Sequence, residues 1–226
     1  PLSIPSVPLP NASVPIQYPI RDSLCTHSES IMYQNLDHSA IILLGSQLST
    51  LGALPNMFWH PTPGNAKIYI LHGVSTRTAD ELIANSLIPI LNNLNQIRIW
   101  QRYANHAAAI HIDTGMTRLG LTPEECSKIQ SLSSYNIDLV MSHLSCAEDK
   151  THPKNIQQAS LFEKVRKTIP AKCASLAASS GIFLGPDYHF DLCRAGISLY
   201  GINPTPLNKN SLAQVVNLKA KIIQIR

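Results

Sequence analysis

The stretch from Ile110 to Leu121 reads IHIDTGMTRLGL, and it says more about the fold than any other part of the chain. Its β-type start, Ala109 to Asp113, leads directly into a tight turn that contains Gly115. Arg118 lies five residues after Asp113, and a helix start follows at Thr122. A strand, a turn and a helix in this order predict a βα unit, and the arginine in the turn would present a fixed cation to an anionic ligand.

The composition of the chain excludes several classes of protein. The chain has 226 residues, a formal net charge of +4 and 14% charged residues, enough for one large domain or two small ones. Without a dense Lys/Arg run, we expect no nucleic acid partner. No apolar run approaches the ~20 residues of a membrane span, and we expect no signal peptide. Five cysteines without C-x-x-C spacing, and no H-E-x-x-H, indicate a reduced cytoplasmic protein without a zinc site.

The pattern changes near residue 60. Residues 1–60 are rich in Pro and Ser, and we expect irregular structure there, apart from one strand at Ala40–Leu44. Beyond them, short apolar runs predict strands at Lys67–Leu71, Leu87–Leu91, Ala109–Asp113, Ile137–Ser142, Cys173–Ala177 and Ile197–Tyr200. Stretches of helical period predict helices at Thr78–Ser86, Leu94–Asn105, Thr122–Leu132 and Asn155–Ile169. The third helix begins with a capping box, Thr122 to Glu125.

This alternation predicts an α/β fold with a parallel sheet. Periodicity alone leaves two architectures open, a (β/α)8 barrel with two units missing and an open doubly wound sheet. Neither G-x-G-x-x-G after a strand nor G-x-x-x-x-G-K-[ST] is present, so a Rossmann or P-loop nucleotide site has no support.

Polar residues that could bind a ligand follow the predicted strands. Arg118, His143 and Ser179 follow three successive strands, and Arg194 precedes Gly196–Ile197 near the sixth. In a parallel barrel these strand ends form the ligand-binding face. A serine hydroxyl, backbone N–H groups beside glycine and fixed cations are suited to binding phosphate. Singly, each has a more ordinary explanation, such as a turn cap or a structural histidine, and only the ordered set predicts a site.

Four motifs carry a family resemblance. DTGMTRLG at 113–120, SHLSCAED at 142–149, ASSGIF at 178–183 and FDLCRAGISLYG at 190–201 are similar, in this order, to motifs of alanine racemase. That family uses pyridoxal 5'-phosphate to interconvert L-alanine and D-alanine, an isomerase reaction that supplies D-alanine for the cell wall. The resemblance covers about residues 66–226.

The resemblance implies a role for each matching residue. His143 would stack on the cofactor ring, and Arg194 would bind the pyridine nitrogen. Ser179 and the backbone of Gly196–Ile197 would bind the phosphate. Arg118 would lie near the cofactor hydroxyl and the substrate carboxylate. A complete protein of this kind is expected to act on alanine as a homodimer, without a metal, nucleic acid or membrane partner.

The resemblance also implies a fold and a domain organisation. We expect a partial TIM-like (β/α)8 barrel over residues 61–208, after an unassigned segment at 1–60. Residues 209–226 would begin a C-terminal β domain, since apolar and polar residues alternate there.

Several positions at which this chain differs from the family motifs bear on its activity. Ala178, Ala195 and His111 stand where many members have Asn, Pro and Lys. The family's Schiff-base lysine, within Lys-Ala-x-Ala-Tyr-Gly, has no counterpart, because no lysine precedes Lys67. The opposing catalytic tyrosine belongs to the C-terminal β domain. We therefore assign no catalytic residue and expect this polypeptide alone not to racemise alanine. The alternatives are a non-enzymatic relic that binds pyridoxal phosphate weakly or not at all, and a single-domain carrier of the cofactor, against which the β-like tail argues.

Overall fold

The strands form one sheet. In a computed structural model of the chain, which describes residues 30–33, 40–44, 67–129, 134–215, 217 and 224, the strand order follows the chain. β1 is antiparallel to β2, and every later neighbour is parallel. The strands are β1 (Ser30–Tyr33), β2 (Ala40–Leu44), β3 (Lys67–Ile70), β4 (Ile88–Leu91), β5 (Ala108–His111), β6 (Ile137–Met141) and β7 (Cys173–Ser175).

A helix follows each strand from β3 to β7. They are α1 (Ala79–Ala84), α2 (Leu94–Trp100), α3 (Pro123–Lys128), α4 (Pro153–Arg166) and α5 (Ser179–Ile182). The start of α3 confirms the predicted capping box, since Thr122 Oγ1 accepts from Glu125 N–H and Glu125 returns a bond to Thr122 N–H. Trp100, Phe162, Ile110 and Val140 belong to the buried layer between helices and sheet.

The unbroken strand order decides between the two architectures. A doubly wound sheet reverses its strand order at a switch point, whereas this sheet never does and curls into part of a barrel. A second apolar cluster, which includes Tyr69, Ile90 and Leu139, fills the concave side. The partial TIM-like barrel predicted for the α/β fold is confirmed.

An ion pair across the concave side shows the curl directly. Lys67 Nζ on β3 lies 2.8 Å from a carboxylate oxygen of Asp138 on β6. In a flat sheet these strands would be about 14 Å apart, with two strands between them. Tyr69 also donates a hydrogen bond to Asp138. Since Lys67 and Asp138 stand near the beginnings of their strands, this cluster marks the end of the barrel opposite the ligand-binding face.

One predicted strand is wrong. Ile197–Tyr200 forms a 3-10 helix instead of a sixth strand. Leu199 N–H bonds to Gly196 O, and Gly201, whose φ is +77°, ends the turn. Backbone bonds at three-residue spacing satisfy this segment locally, so it needs no neighbouring strand.

The edges of the predicted elements agree with the structure to within a few residues. β2 coincides with the strand predicted before residue 60, and β1 was not predicted. The proposed C-terminal strand lies largely outside the described residues, and Ser211–Val215, which are described, form no strand. Division into domains at 60 and 208 stays a prediction.

Candidate functional site

The carboxyl ends of β4 to β7 and the loops that follow them form what we call the mouth of the barrel. The parallel register brings these ends to one side of the sheet. Polar side chains stand at the end of each strand there or in the loop that follows it. They are Asn92 after β4, His111 and Thr114 at and after β5, Ser142 and His143 after β6, and Ser175 and Ser179 at and after β7.

Arg194 is the centre of the mouth, and its side chain is only 1% exposed. Nη1 donates to Ser175 Oγ at 2.7 Å, and Nη2 donates to the carbonyls of Ser142 at 2.5 Å and Leu176 at 3.1 Å. Burial lowers the pKa of Arg194 to about 10, so the guanidinium remains a cation at neutral pH. None of these contacts is a carboxylate, although buried charges are usually paired. The arrangement leaves a positive charge available to an anionic or electron-rich ligand.

His143 is held against this arginine. Arg194 Nη2 lies 3.4 Å from Nδ1 of the imidazole. A guanidinium has no acceptor and is always positively charged, so its place beside Nδ1 favours the tautomer with the ring proton on Nε2. Burial and the charges of Arg194 and Arg118 lower the pKa of His143 to about 3. The ring is therefore neutral and can lie against a flat ligand without adding charge.

His111 has the opposite tautomer. Its Nδ1 lies 2.9 Å from Asn92 Oδ1. Because Asn92 Nδ2 donates to the carbonyls of Leu71 and Ile90, its oxygen accepts and His111 carries the proton on Nδ1. Burial, followed by the charges of Arg194 and Arg118, lowers the pKa of His111 to about 3.

The loop after β5 places Arg118 at the edge of the mouth. Asp113 Oδ1 accepts from the N–H groups of Gly115 and Thr117, at 2.9 and 3.0 Å. Leu121 N–H returns to His111 O at 2.8 Å and closes the loop. Arg118 is exposed, and its charge is near enough to lower the pKa values of both histidines and of Arg194.

Three donors converge on one oxygen at the other side of the mouth. Ser179 Oγ, at the start of α5, accepts from Gly196 N–H at 2.8 Å, from Ser198 N–H at 3.3 Å and from Ser198 Oγ at 3.1 Å. Two backbone N–H groups, two hydroxyls and a nearby buried cation match the donors that phosphate oxygens require. Ile197 lies between the two N–H groups, and its side chain is 46% exposed.

The structure thus brings together the residues that the sequence singled out. Arg194 lies beside His143, and the charge of Arg118 acts on both. Ser179 and Gly196 belong to the adjoining donor group, whereas Ile197 only separates its two N–H groups, the second of which belongs to Ser198. Sequence reasoning singled out Thr114 with Arg118 but missed other polar residues of the mouth, which are Asn92, Ser142, Gln158, Ser175 and Ser198. Asn92 directly follows a strand, so the rule that found His143 could have found it. Gln158 lies within a helix beside another glutamine and gives no such signal.

Among the residues that the structure describes, no group of three His, Cys, Asp or Glu side chains is arranged to hold a metal ion. No helix in the described ranges has the length and hydropathy needed to cross a bilayer.

Comparisons with known proteins point to one family. Residues 59–204 match the family described as "Alanine racemase, N-terminal domain". An alanine racemase from Rhodospirillum rubrum is 44% identical over 173 residues, covering 73% of this chain and 46% of that protein. A catabolic alanine racemase from Mesorhizobium japonicum is 45% identical over 168 residues, covering 70% of this chain and 44% of that protein.

A solved structure is similar over the same region. The alanine racemase from Bartonella henselae, solved with covalently bound pyridoxal phosphate, has a TM-score of 0.64 and 32% identity, covering 72% of this chain and 49% of that chain. The chain thus spans about half the length of the relatives it matches. By these matches and by its barrel, the chain belongs to the alanine racemase family.

Proposed function

We propose that the mouth of this barrel binds pyridoxal 5'-phosphate and that the chain forms the cofactor-binding part of an alanine racemase. The observation that carries the proposal is the pairing of a buried arginine without a carboxylate partner, Arg194, with three donors that converge at Ser179. The arginine can donate a hydrogen bond to an aromatic nitrogen, and the three donors at Ser179 can bind a phosphate.

The donor set fits the cofactor at both ends. Ser179 Oγ and the N–H groups of Gly196 and Ser198 would hold the phosphate. Arg194 would donate to the ring nitrogen, and as a fixed cation it opposes protonation of that nitrogen. His143, neutral and held by Arg194, would lie against the ring. When bound, the cofactor would supply an electron sink next to the α-carbon of the substrate.

Substrate contact falls to Arg118. It is exposed at the edge of the mouth, and it can attract the carboxylate of a small amino acid, which we propose is alanine. Within the described residues, no barrel strand ends at a lysine, and Lys67 is paired with Asp138 at the other end of the barrel. The groups that move the α-proton are therefore assigned to no residue here. We further propose a cytoplasmic homodimer for the complete protein, in keeping with the four free cysteines of the described residues.

Binding can be tested without the reaction. Pyridoxine 5'-phosphate has no aldehyde and cannot condense with surface lysines, so its fluorescence reports only the non-covalent site. We expect saturable binding to the 226-residue chain, and about tenfold or more weaker binding to Ser179→Ala, which loses a hydroxyl that can reach the phosphate. Arg194→Met should weaken binding, and Arg98→Met, at an exposed arginine of α2, should not.

Pyridoxine, the same probe without its phosphate, tests whether the Ser179 group binds phosphate. If pyridoxine binds as tightly as its phosphate, the Ser179 group is not a phosphate site and the proposal fails. No saturable binding of either probe by a folded chain would favour the alternative function, a non-enzymatic relic of the family.

A further inference from the structure

Gln158 joins two loops of the mouth through a single amide. It lies on α4 and is 1% exposed. Nε2 donates to Thr114 Oγ1 at 3.2 Å and to His143 O at 3.0 Å. Oε1 accepts from Ser145 N–H at 2.9 Å and from Ser145 Oγ at 3.0 Å. An amide has two N–H donors and two lone pairs, so these contacts use its full capacity and fix its orientation.

The network continues to the buried cation. Thr114 Oγ1 and Ser142 Oγ are 2.8 Å apart, and Ser142 O accepts from Arg194 Nη2. Thr114 and Ser142 are 6% and 0% exposed, so these bonds are shielded from bulk water. His143 is therefore held at both ends, its carbonyl by Gln158 and its ring by Arg194.

The geometry assigns Gln158 as a positioning residue for the ring-binding part of the mouth. This inference rests on the proposed function and adds to it. Gln158 touches neither the three donors at Ser179 nor Arg118, and it acts by fixing the His143 peptide and the loop that begins at Thr114. The loop after β5 carries Arg118, so the Gln158 amide also fixes the position of Arg118 relative to the ring-binding part of the mouth.

The helix itself does not depend on this amide. Apolar side chains of α4, including Phe162 at 0% and Val165 at 8% exposure, hold the helix on the sheet. Lost amide bonds should therefore loosen the two loops before they loosen the fold. Gln157, the exposed neighbour on α4, offers a matched control.

Two substitutions separate the donor from the acceptor. Gln158→Leu removes every bond of the amide. Gln158→Glu retains oxygens for Ser145 but, when ionised, gives His143 O no donor and places a negative charge beside it. A protonated carboxyl regains one donor, so the defect of Gln158→Glu should shrink as the pH falls, whereas that of Gln158→Leu should not.

The experiment uses the 226-residue chain with two probes, pyridoxine 5'-phosphate and inorganic phosphate. We expect Gln158→Leu to raise the Kd for pyridoxine 5'-phosphate about tenfold and to reduce the circular dichroism that the bound ring acquires. The Kd for inorganic phosphate should stay within about twofold, because the Ser179 group lies outside the network. Gln157→Leu should change neither Kd, and the ratio of the Gln158→Glu Kd to the unmodified Kd should fall as the pH is lowered.

Contrary outcomes point to different failures. If the unmodified chain binds and both Gln158 variants retain its Kd and ring dichroism, the positioning role is wrong and the proposed function stands. Equal weakening of both probes would make the amide a general structural support and also overturn the role. If the unmodified chain does not bind pyridoxine 5'-phosphate, the proposed function fails, and this inference with it.

Discussion

Two neutral imidazoles in the mouth offer opposite nitrogens to a ligand. His111 donates through Nδ1 to Asn92, which leaves Nε2 as an acceptor. His143 has Nδ1 beside the Arg194 cation, which favours a proton on Nε2 and makes Nε2–H a donor. At pH 7, ¹⁵N NMR should therefore show a protonated Nδ1 in one ring and a protonated Nε2 in the other. His111→Asn and His143→Gln assign the signals. The same tautomer in both rings would contradict the hydrogen-bond assignment.

The same histidines predict how stability depends on pH. Both pKa values are lowered to about 3 in the folded chain, against about 6.5 in an unfolded one. As the pH falls below about 6.5, the unfolded chain binds these protons and the folded chain does not. Each histidine should then lower the free energy of unfolding by up to about 1.4 kcal/mol per pH unit, until about pH 3. Above pH 7 this loss is absent.

Urea denaturation between pH 7.5 and 4.5 measures this effect. His143→Gln should reduce the slope of stability against pH, and His106→Gln, at an exposed histidine, should leave the slope unchanged. An unchanged slope in His143→Gln would mean that this imidazole is not kept neutral by the fold.

Among the elements, the loop between β5 and α3 depends on one glycine. Gly120 has φ of +112°, and a Cβ there would lie 2.7 Å from Asp113 N and 2.9 Å from Ile112 C. Backbone atoms cannot move away as a flexible side chain can, so Gly120→Ala should destabilise the chain by at least about 2 kcal/mol. The loop carries Arg118, so binding of carboxylate substrates should weaken as well.

A second glycine separates strain from collision. Gly185 has a similar φ of +120°, but an added Cβ would meet nothing within 4 Å. Gly185→Ala should cost only the backbone strain, of about 1 kcal/mol. Equal losses of unfolding free energy in Gly120→Ala and Gly185→Ala would show that the close approach to Asp113 contributes nothing.

At the scale of the whole molecule, Asp138 ties distant strands together. Burial alone would raise the pKa of this carboxyl, but hydrogen bonds from Lys67 and Tyr69, with the charges of Lys67 and Lys172, outweigh burial and lower it. Asp138→Leu removes the acceptor of the buried Tyr69 hydroxyl and the partner of Lys67. We expect a loss of about 2–3 kcal/mol in unfolding free energy. Asp187→Leu, at an exposed carboxylate, should change little, and an unaltered urea midpoint in Asp138→Leu would contradict this role.

Activity is also a property of the whole molecule. The 226-residue polypeptide alone should not racemise alanine measurably with added pyridoxal phosphate, because loss of a covalent anchor and of proton carriers costs several orders of magnitude in rate. A complete alanine racemase assayed in parallel gives the positive control. Cofactor-dependent turnover that Arg118→Ala abolishes would prove this expectation wrong.

The sequence alone determined the local structure and the list of ligand-binding candidates. Alternating apolar runs and amphipathic stretches predicted β3 to β7 and α1 to α4, but not α5. Thr122 with Glu125 predicted the start of α3, since capping and periodicity act between residues close in the chain. Motif order gave Arg118, His143, Ser179 and Arg194. The strand that the local pattern predicted at Ile197–Tyr200 was wrong, because these residues form a 3-10 helix.

Only the tertiary structure decided what depends on distant contacts. The curl of the sheet follows from the register of successive strands and from pairs such as Lys67 with Asp138, which are 71 residues apart. The two tautomers follow from partners supplied by distant parts of the chain, and the four bonds of Gln158 join α4 to two loops. Hydrogen bonds between distant residues leave no period or motif in the chain, because either partner alone is an ordinary polar residue.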